Sequence, residues 1–362
     1  MRELQIDGRR IADDTPCFVI AEIGHNHQGS VEQARELFVL AKRTGVDAVK
    51  LQKRDNRRLF TRALYDSAYD NENSFGRTYG AHREALELDR DAYAELQACA
   101  SELGLVFFAT AFDETSADLL AELDAPAYKI ASGDLRNTPL LRHVAAIGKP
   151  VIVSTGGATI EDVDRAVETV TAINPQLCLL QCTASYPAAV EELELGVIAA
   201  YRDRYPELVI GLSDHQDGIA MAPVAYMLGA RVIEKHFTVS HTAKGTDHAF
   251  SLMPEGMRKL VRDLHRVPAA IGDGVKRPLP SEEAPLRKMG KQLVAARPLP
   301  SGHVLAEGDL VAKSPAEGGL PPYRLEDLVG TRLRRALRED EVVLTTDVAT
   351  VDALAEASSS AT

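Results

Sequence analysis

LVFFATAFDETSADLLAELDAPAYKIAS (105–132) carries the pattern that decides the fold. Two short apolar runs, LVFFAT (105–110) and AYKIAS (127–132), flank SADLLAELD, whose apolar residues recur at i, i+3 and i+4. Runs that are apolar on both faces suit strands buried in a parallel sheet, and the segment between them suits the helix that returns the chain. The same unit repeats outward in both directions. Towards the N-terminus lie CFVIAEIG (17–24) and DAVKLQK (47–53); towards the C-terminus lie PVIVST (150–155), LCLLQC (177–182), LVIGLSD (208–214) and RVIEKHFT (231–238). Helical patterns separate them, from VEQARELFVLAKRTG (31–45) and DAYAELQACASELG (91–104) to EGMRKLVRDLHRV (255–267). Several of these open on Ser, Thr, Asp or Glu and close on Gly, as helix caps require. Eight such units over roughly 260 residues predict a closed (β/α)8 TIM-type barrel. An open doubly wound sheet is the alternative, but no GxGxxG follows the first strand.

The chain has 362 residues, with 45% hydrophobic and 26% charged residues and a net charge of −12. The length suits one large domain and a small one. The negative charge argues against nucleic acid or an anionic membrane surface as partner, though a local lysine cluster can still hold a small anion. No stretch approaches the roughly 20 apolar residues of a membrane helix, and MRELQIDGRRIADD lacks a signal-peptide core. The expected location is therefore cytoplasmic. The four cysteines, Cys17, Cys99, Cys178 and Cys182, fit no disulfide framework and are expected to be buried thiols. The barrel is expected over 1–280. A Pro- and charge-rich linker (281–291), a small β-rich domain (292–350) and a disordered tail (351–362) follow. The long segment 54–86 after the second strand is expected to cover the catalytic face as a lid.

Polar groups gather at the carboxyl ends of the strands: Glu22, Lys50, Gln52, Thr110, Lys129, Ser132, Ser154, Thr183, Ser213, Asp214, His215, Glu234 and His236. In a barrel these ends converge on one face. His215 and His236 end adjacent strands, so their imidazoles can meet at one metal. Two histidines leave the remaining positions to water or substrate oxygen, which favours Mn2+ or Mg2+ over a structural Zn2+. Glu234 shares the face of His236, two residues on. A bland alternative is that such histidines are hydrogen-bonded core residues. His25, His27, His241 and His248 compete as ligands, whereas His82, His143, His265 and His303 read as surface residues. Lys50, Lys53 and Lys129 with the hydroxyls of Ser132, Ser154 and Ser213 suit a phosphate plus a carboxylate. STGGAT (154–159), ahead of a helix, offers a further anion site of low specificity.

The motifs AEIGHNHQGS, VKLQK, ATAFDETSADLL, KIASGD, STGGAT, CTASYPA, GLSDHQDG, EKHFT and GTDHAFSL occur in this order. This series resembles that of the sialic acid synthase family over about residues 15–260, and the tail is similar to the family's antifreeze-like (SAF) domain. SDH, then EKH, then GTDHAFSL is the most distinctive part. The resemblance implies a transferase that condenses phosphoenolpyruvate (PEP) with an N-acyl amino-hexose aldehyde and releases phosphate. It implies a divalent metal, Mn2+ foremost with Mg2+ or Co2+ as alternatives, on His215 and His236. It implies PEP contacts at Lys50, Gln52, Thr110, Lys129, Ser132, Ser154, Tyr186 and Ser213. Catalytic or sugar-binding roles follow for Glu22, which would handle the attacking water, and for Glu234 and Asp247. A homodimer in which the SAF-like domain covers the partner's barrel is also implied.

Two positions depart from the family pattern. Ala184 stands where members often carry Asn or Ser to touch the PEP phosphate. Ser314 stands where an Arg of the small domain recognises the N-acyl group, with Lys313 or Arg324 as substitutes nearby. The acceptor sugar and its phosphorylation therefore stay open, and a legionaminic- or pseudaminic-type synthase is an alternative. Two other classes remain: a metal-dependent barrel aldolase or isomerase that does not use PEP, and a non-enzymatic carbohydrate-binding protein acting through its tail.

Overall fold

The structure, a computed structural model, describes residues 2–349. The chain divides into two units between Gly272 and Asp273. The expected disordered tail, 351–362, lies outside the described residues.

The first unit opens with a hairpin that the sequence reading did not pick out: β1 (Glu3–Ile6) and β2 (Arg9–Ala12), antiparallel and joined at Asp7 and Gly8, both at positive φ. Asp-Gly is the preferred pair for such a turn. Eight parallel strands follow: β3 (Phe18–Gly24), β4 (Ala48–Lys53), β5 (Val106–Ala111), β6 (Tyr128–Ile130), β7 (Val151–Ser154), β8 (Leu177–Cys182), β9 (Val209–Asp214) and β10 (Val232–His236). They close into a barrel in chain order, with β10 paired to β3. Each of the eight runs identified in the sequence forms one strand. β6 is shorter than expected because Ser132–Asp134 turns into a 3-10 helix.

Helices surround the barrel. α1 (Val31–Thr44) follows β3; the expected lid contains α2 (Asn56–Leu59), α3 (Arg62–Tyr65) and α4 (Tyr79–Glu84) ahead of α5 (Arg90–Glu102). The outer ring continues with α6 (Glu114–Glu122), α7 (Thr138–Ala146), α8 (Ile160–Thr171), α9 (Gly196–Arg204), α10 (Met221–Met227) and α11 (Pro254–Ile271). Among the described residues no helix is long and apolar enough to cross a membrane.

Strand side chains alternate between two environments. Outward residues such as Val19, Ala21, Ile23, Val49 and Leu51 pack under the helices in one large core. Inward residues divide by height. Phe18, Ile20, Ala48, Val106, Phe108, Ile152, Leu180 and Val232 fill the amino end of the barrel, and Leu4, Ile6 and Ile11 of the hairpin join that cluster as a plug. At the carboxyl end the inward positions become polar, with Glu22, Lys50, Thr110, Lys129, Ser154, Ser213, Glu234 and His236 all buried. A continuous apolar run thus hides a period of two, because only its inner face changes character along the strand.

The second unit has its own small core, including Leu293, Leu299, Leu310, Leu333 and Val343. β11 (Gln292–Ala295) and β12 (Leu310–Lys313) pair antiparallel, and single bridges such as Leu299–Leu337 extend the β-rich character. The stretch expected as a linker holds a helix, α12 (Glu283–Met289). Ala, Leu, Arg, Lys and Met favour helix, and Pro285 sits in the first turn where it costs no hydrogen bond.

Gly211 of β9 faces the packed interior. A Cβ there would lie 2.4 Å from the Val232 carbonyl oxygen and 2.5 Å from Leu180 Cδ2. Gly211→Ala is expected to lower unfolding free energy by about 1–3 kcal/mol, as overpacking does, in urea titration. An unchanged midpoint would show that the strands can spread.

Candidate active site

The polar upper layer lines one cavity of about 520 Å3. All thirteen residues proposed from the sequence as catalytic, PEP-binding or metal-binding border it. β3 brings Glu22; β4 brings Lys50 and Gln52; β5 brings Thr110; β6 brings Lys129 and, one turn on, Ser132; β7 brings Ser154; β9 brings Ser213; β10 brings Glu234 and His236. Tyr186, His215 and Asp247 enter from loops at the same end. A neighbouring cavity of about 670 Å3, bordered by Thr155, Gln181 and Arg204 among others, shares only Cys182 and Ala184 with it. The smaller cavity holds the convergent titratable groups and is the candidate active site.

Two buried ion pairs organise it. Lys50 Nζ lies 2.6 Å from Glu22 Oε2 and donates to Thr110 Oγ1 at 2.9 Å. Lys129 Nζ donates to Glu234 Oε1 at 3.2 Å, and Ser213 Oγ donates to the same oxygen at 3.1 Å. Lys50 is also 3.8 Å from Glu234 Oε2. Gln52 Nε2 donates to Glu22 Oε1 at 2.7 Å. The two carboxyl groups respond in opposite directions. Burial pushes Glu22 up despite Lys50. Burial also opposes ionisation of Glu234, but Lys129 and Lys50 outweigh it and hold the carboxyl at about 2. Environments that drive two carboxyl groups apart suit them to different roles, here a base that keeps a proton well and a permanent anion.

The two histidines stand with ring centroids 5.4 Å apart. His215 Nδ1 lies 2.8 Å from the Thr183 carbonyl oxygen, so it carries the proton and leaves Nε2 with a free lone pair. His236 Nδ1 is buried without a hydrogen-bond partner, 3.7 Å from Asp247 Oδ2. Burial holds both rings at about 4, with the neighbouring imidazole adding to the effect on His215. Neutral imidazoles with unused nitrogens are the ligand form for a divalent metal. Among the described residues no group of three or more His, Cys, Asp or Glu is arranged to hold a metal ion. As a candidate ligand pair the two imidazoles would make only an incomplete shell, with its further positions left to water or substrate oxygen.

The hydroxyls have unused capacity. Ser154 Oγ is buried without a partner. Ser132 Oγ accepts from the Gly156 backbone N–H at 2.9 Å, which orients its own proton towards the cavity wall at Cys182 Sγ, 3.5 Å away. The helix behind STGGAT is closed by its own capping box between Thr159 and Asp162. Tyr186 lies over His215 with centroids 4.2 Å apart.

Several expected residues turn away. Lys53 pairs with Glu87 at 2.9 Å and does not border the cavity. Asp214 points outward and pairs with Lys235 at 2.8 Å, both fully buried. Among the competing histidines, His248 is bonded to Thr238 Oγ1 and His241 to the Ser251 carbonyl, while His27 Nδ1 accepts from Gly29 N–H. His82, read as a surface residue, is buried at 2% exposure and packs on Tyr69 with ring centroids 4.6 Å apart. Its helix is short and enclosed by the lid's own aromatics, a tertiary effect without periodic signal. His25, Arg54 and Arg83 border the cavity, and the two arginines were not singled out from the sequence. They lie in or beside the irregular lid, where spacing gives no guide to direction.

Removing Lys50 leaves Glu22 buried without its counter-charge. Lys50→Met is expected to cost about 3–5 kcal/mol at neutral pH. Because burial raises the Glu22 carboxyl above its unfolded value, the penalty shrinks as the pH falls and Glu22 takes up a proton. Urea unfolding of both proteins between neutral and mildly acid pH checks this, and a pH-independent difference would refute the pairing.

The geometry agrees with what the chain resembles. A family model described as NeuB family matches residues 37–276, and a SAF domain model matches 291–349. The chain is 38% identical over 337 residues to the N-acetylneuraminate-9-phosphate synthase of Homo sapiens, covering 93% of this chain and 94% of that protein. It is 35% identical to the N,N'-diacetyllegionaminic acid synthase of Legionella pneumophila over 91% of this chain and 93% of that one. Among solved structures, the N-acetylneuraminic acid (sialic acid) synthetase of Leptospira borgpetersenii serovar Hardjo-bovis superposes with a TM-score of 0.68 at 30% identity. That match covers 78% of this chain and 95% of the other. With a polar barrel mouth, a pair of open imidazoles and the family model across most of its length, the chain belongs to the NeuB family, and its C-terminal unit is a SAF domain.

Proposed function

We propose that the protein condenses PEP with an open-chain N-acyl amino-hexose of the N-acetylmannosamine type, giving a nine-carbon, sialic-acid-like 2-keto acid and inorganic phosphate. The observation that carries the reading is one mouth that holds two neutral imidazoles, two buried ammonium groups and unpartnered hydroxyls together. The names of the relatives support it, and a legionaminic- or pseudaminic-type sugar is the nearest variant of the same reaction.

Lys50 and Lys129 would receive the carboxylate and phosphate of PEP, with Thr110, Ser132, Ser154 and Ser213 as hydroxyl donors and Gln52 and Tyr186 closing the site. Both lysines already hold carboxylates, so PEP shares cations whose geometry is set before it arrives. His215 and His236 would hold a divalent ion, Mn2+ foremost and Mg2+ or Co2+ as alternatives, which when bound supplies Lewis acidity at the aldehyde oxygen. C3 of PEP forms the new bond to the aldehyde carbon as the C=O electron pair passes to the aldehyde oxygen, which takes a proton from solvent and becomes a hydroxyl. C2 then takes up water, whose proton goes to Glu22, and the C2–O bond to phosphate breaks. The raised affinity of Glu22 for a proton suits that step. Glu234, held ionised by Lys129, stabilises positive charge developing at C2, and Asp247, beside His236, meets the sugar hydroxyls.

We place the enzyme in the cytoplasm, where PEP is made and consumed. We expect a homodimer with the SAF domain over the partner's barrel, as the resemblance implies. In place of the family's arginine, Ser314 is exposed. Of the nearby substitutes, Lys313 is bound to Asp340 and Arg324 to Asp327, both in exposed pairs that a ligand can displace at little cost.

Phosphate release is expected only when PEP, the sugar and a divalent metal are all present, and a chelator should abolish it. His236→Ala should remove turnover while circular dichroism shows an intact fold; a fully active variant would overturn the metal assignment. Lys129→Ala should lower kcat/KM by about 10²–10³, the usual cost of one oxyanion donor. An aldolase that does not use PEP would keep its activity in that variant. Light scattering that shows an active monomer would refute the swapped dimer.

A further inference from the structure

On β9 and β10 the outer face of the barrel wall is apolar until the last step. Ile210 and Leu212 of β9 and Ile233 of β10 point outward into the large core under the helices. Asp214 and Lys235 continue the same outward rows and stand opposite each other in the strand register. Lys235 Nζ donates to Asp214 Oδ2 at 2.8 Å, and the two side chains are 1% and 0% exposed. Neither residue borders the active-site cavity.

A buried ion pair of this kind is often no more stabilising than two apolar side chains of the same volume. Stability alone therefore gives no reason for charges in this layer. Their second contacts do. Asp214 Oδ1 accepts from the Gln216 backbone N–H at 2.9 Å, and Lys235 Nζ also donates to the Gln216 backbone carbonyl. The pair thus grips both backbone polar groups of Gln216 and closes a ring around 214–216. His215 sits at the centre of that segment.

The ring lies where the strand ladder stops. β9 and β10 pair as far as Asp214 and Lys235, so His215 stands just beyond the last rung. On the β8 side His215 is tied by the Ala188 N–H, which donates to its carbonyl at 3.1 Å, and by its own Nδ1, 2.8 Å from the Thr183 carbonyl. On the β10 side the segment is tied by Lys235, the residue before His236. Successive strand residues face opposite sides, so Lys235 points out between Glu234 and His236, which point in.

We propose that Asp214 and Lys235 are positioning residues, a clamp outside the barrel wall that fixes the spacing of the His215 and His236 imidazoles for a divalent ion. This rests on the metal-binding part of the reading above. With only two protein ligands, affinity depends on holding them at the right separation before the ion arrives. A loosened 214–216 segment must be ordered on binding, and that ordering weakens the affinity.

Mn2+ binding to the enzyme without substrates, read as loss of the electron paramagnetic resonance signal of the free ion, tests the clamp. The double variant Asp214→Leu/Lys235→Met removes the charges while filling the space, so circular dichroism should show an intact fold. Its Kd for Mn2+ should rise about tenfold, the lower end of the cost of losing groups that orient metal ligands. In phosphate-release assays excess Mn2+ should restore most of the kcat, with the KM for PEP unmoved. Lys235→Arg, which keeps a charged donor in place, should retain most of the affinity. Should the double variant not fold, Asp214→Glu carries the test: it keeps the ion pair but shifts the carboxylate by one methylene from the Gln216 N–H, and it should weaken Mn2+ binding severalfold. Wild-type Mn2+ affinity in either variant, a loss in Lys235→Arg as large as in the double variant, or a raised PEP KM at saturating Mn2+ would each overturn the clamp and leave the condensation reading standing. A wild type that binds Mn2+ no better than His236→Ala would instead overturn the metal assignment, and the clamp with it.

Discussion

Closing eight parallel strands into a ring forces every second side chain into a shared interior, and the rest of this molecule follows from what fills it. The amino half is filled by Phe18, Ile20, Phe108, Leu180 and Val232, with a hairpin as its plug. That half must be dry and tightly packed, as the space around Gly211 shows. It supplies the rigid floor on which a polar layer can stand. In the carboxyl half the same alternation delivers Glu22, Lys50, Lys129 and Glu234 inward, where isolated charges would be prohibitively costly. They survive there only because they pair.

Pairing then shapes the chemistry. The ammonium groups of Lys50 and Lys129 are held by carboxylates before any substrate arrives, so their positions are set by the protein and not by the ligand. The same contacts separate the two acids. Glu22 keeps a raised affinity for protons, whereas Glu234 stays ionised between two lysines. The imidazoles complete the arrangement. A backbone carbonyl orients His215, and His236 presents a buried nitrogen with nothing on the protein to bind it. Unused valence of this kind, shared with the buried Ser154 hydroxyl, points to an external group.

Around the mouth the lysines are balanced and the arginines are not, and the imbalance lies beside β3 and β4. The segment that carries Arg83 is built from three short helices and an aromatic cluster around His82, and Arg83 is held by a hydrogen bond to Tyr79 and by lying over its ring.

Much of this was legible in the chain itself. The eight apolar runs were visible because parallel strands are buried on both faces, and the polar residues at their ends were visible because they interrupt those runs at the same point. From β3 to β10 eleven of the thirteen proposed site residues could be named for that reason, whereas Tyr186 and Asp247, on loops, came only from the family resemblance. The β1–β2 hairpin was overlooked although its Asp7–Gly8 turn was a usable signal. His82 and Arg83 gave no signal, since an irregular loop has no period from which a direction can be read. By itself, then, the sequence determined the strands, their inward faces and the residue types at each strand end, because these depend on local alternation and hydrophobicity. Only the tertiary structure decided which carboxylate each lysine meets, which nitrogen each histidine leaves free and which cations go unmatched, because those depend on distances between strands far apart in the chain.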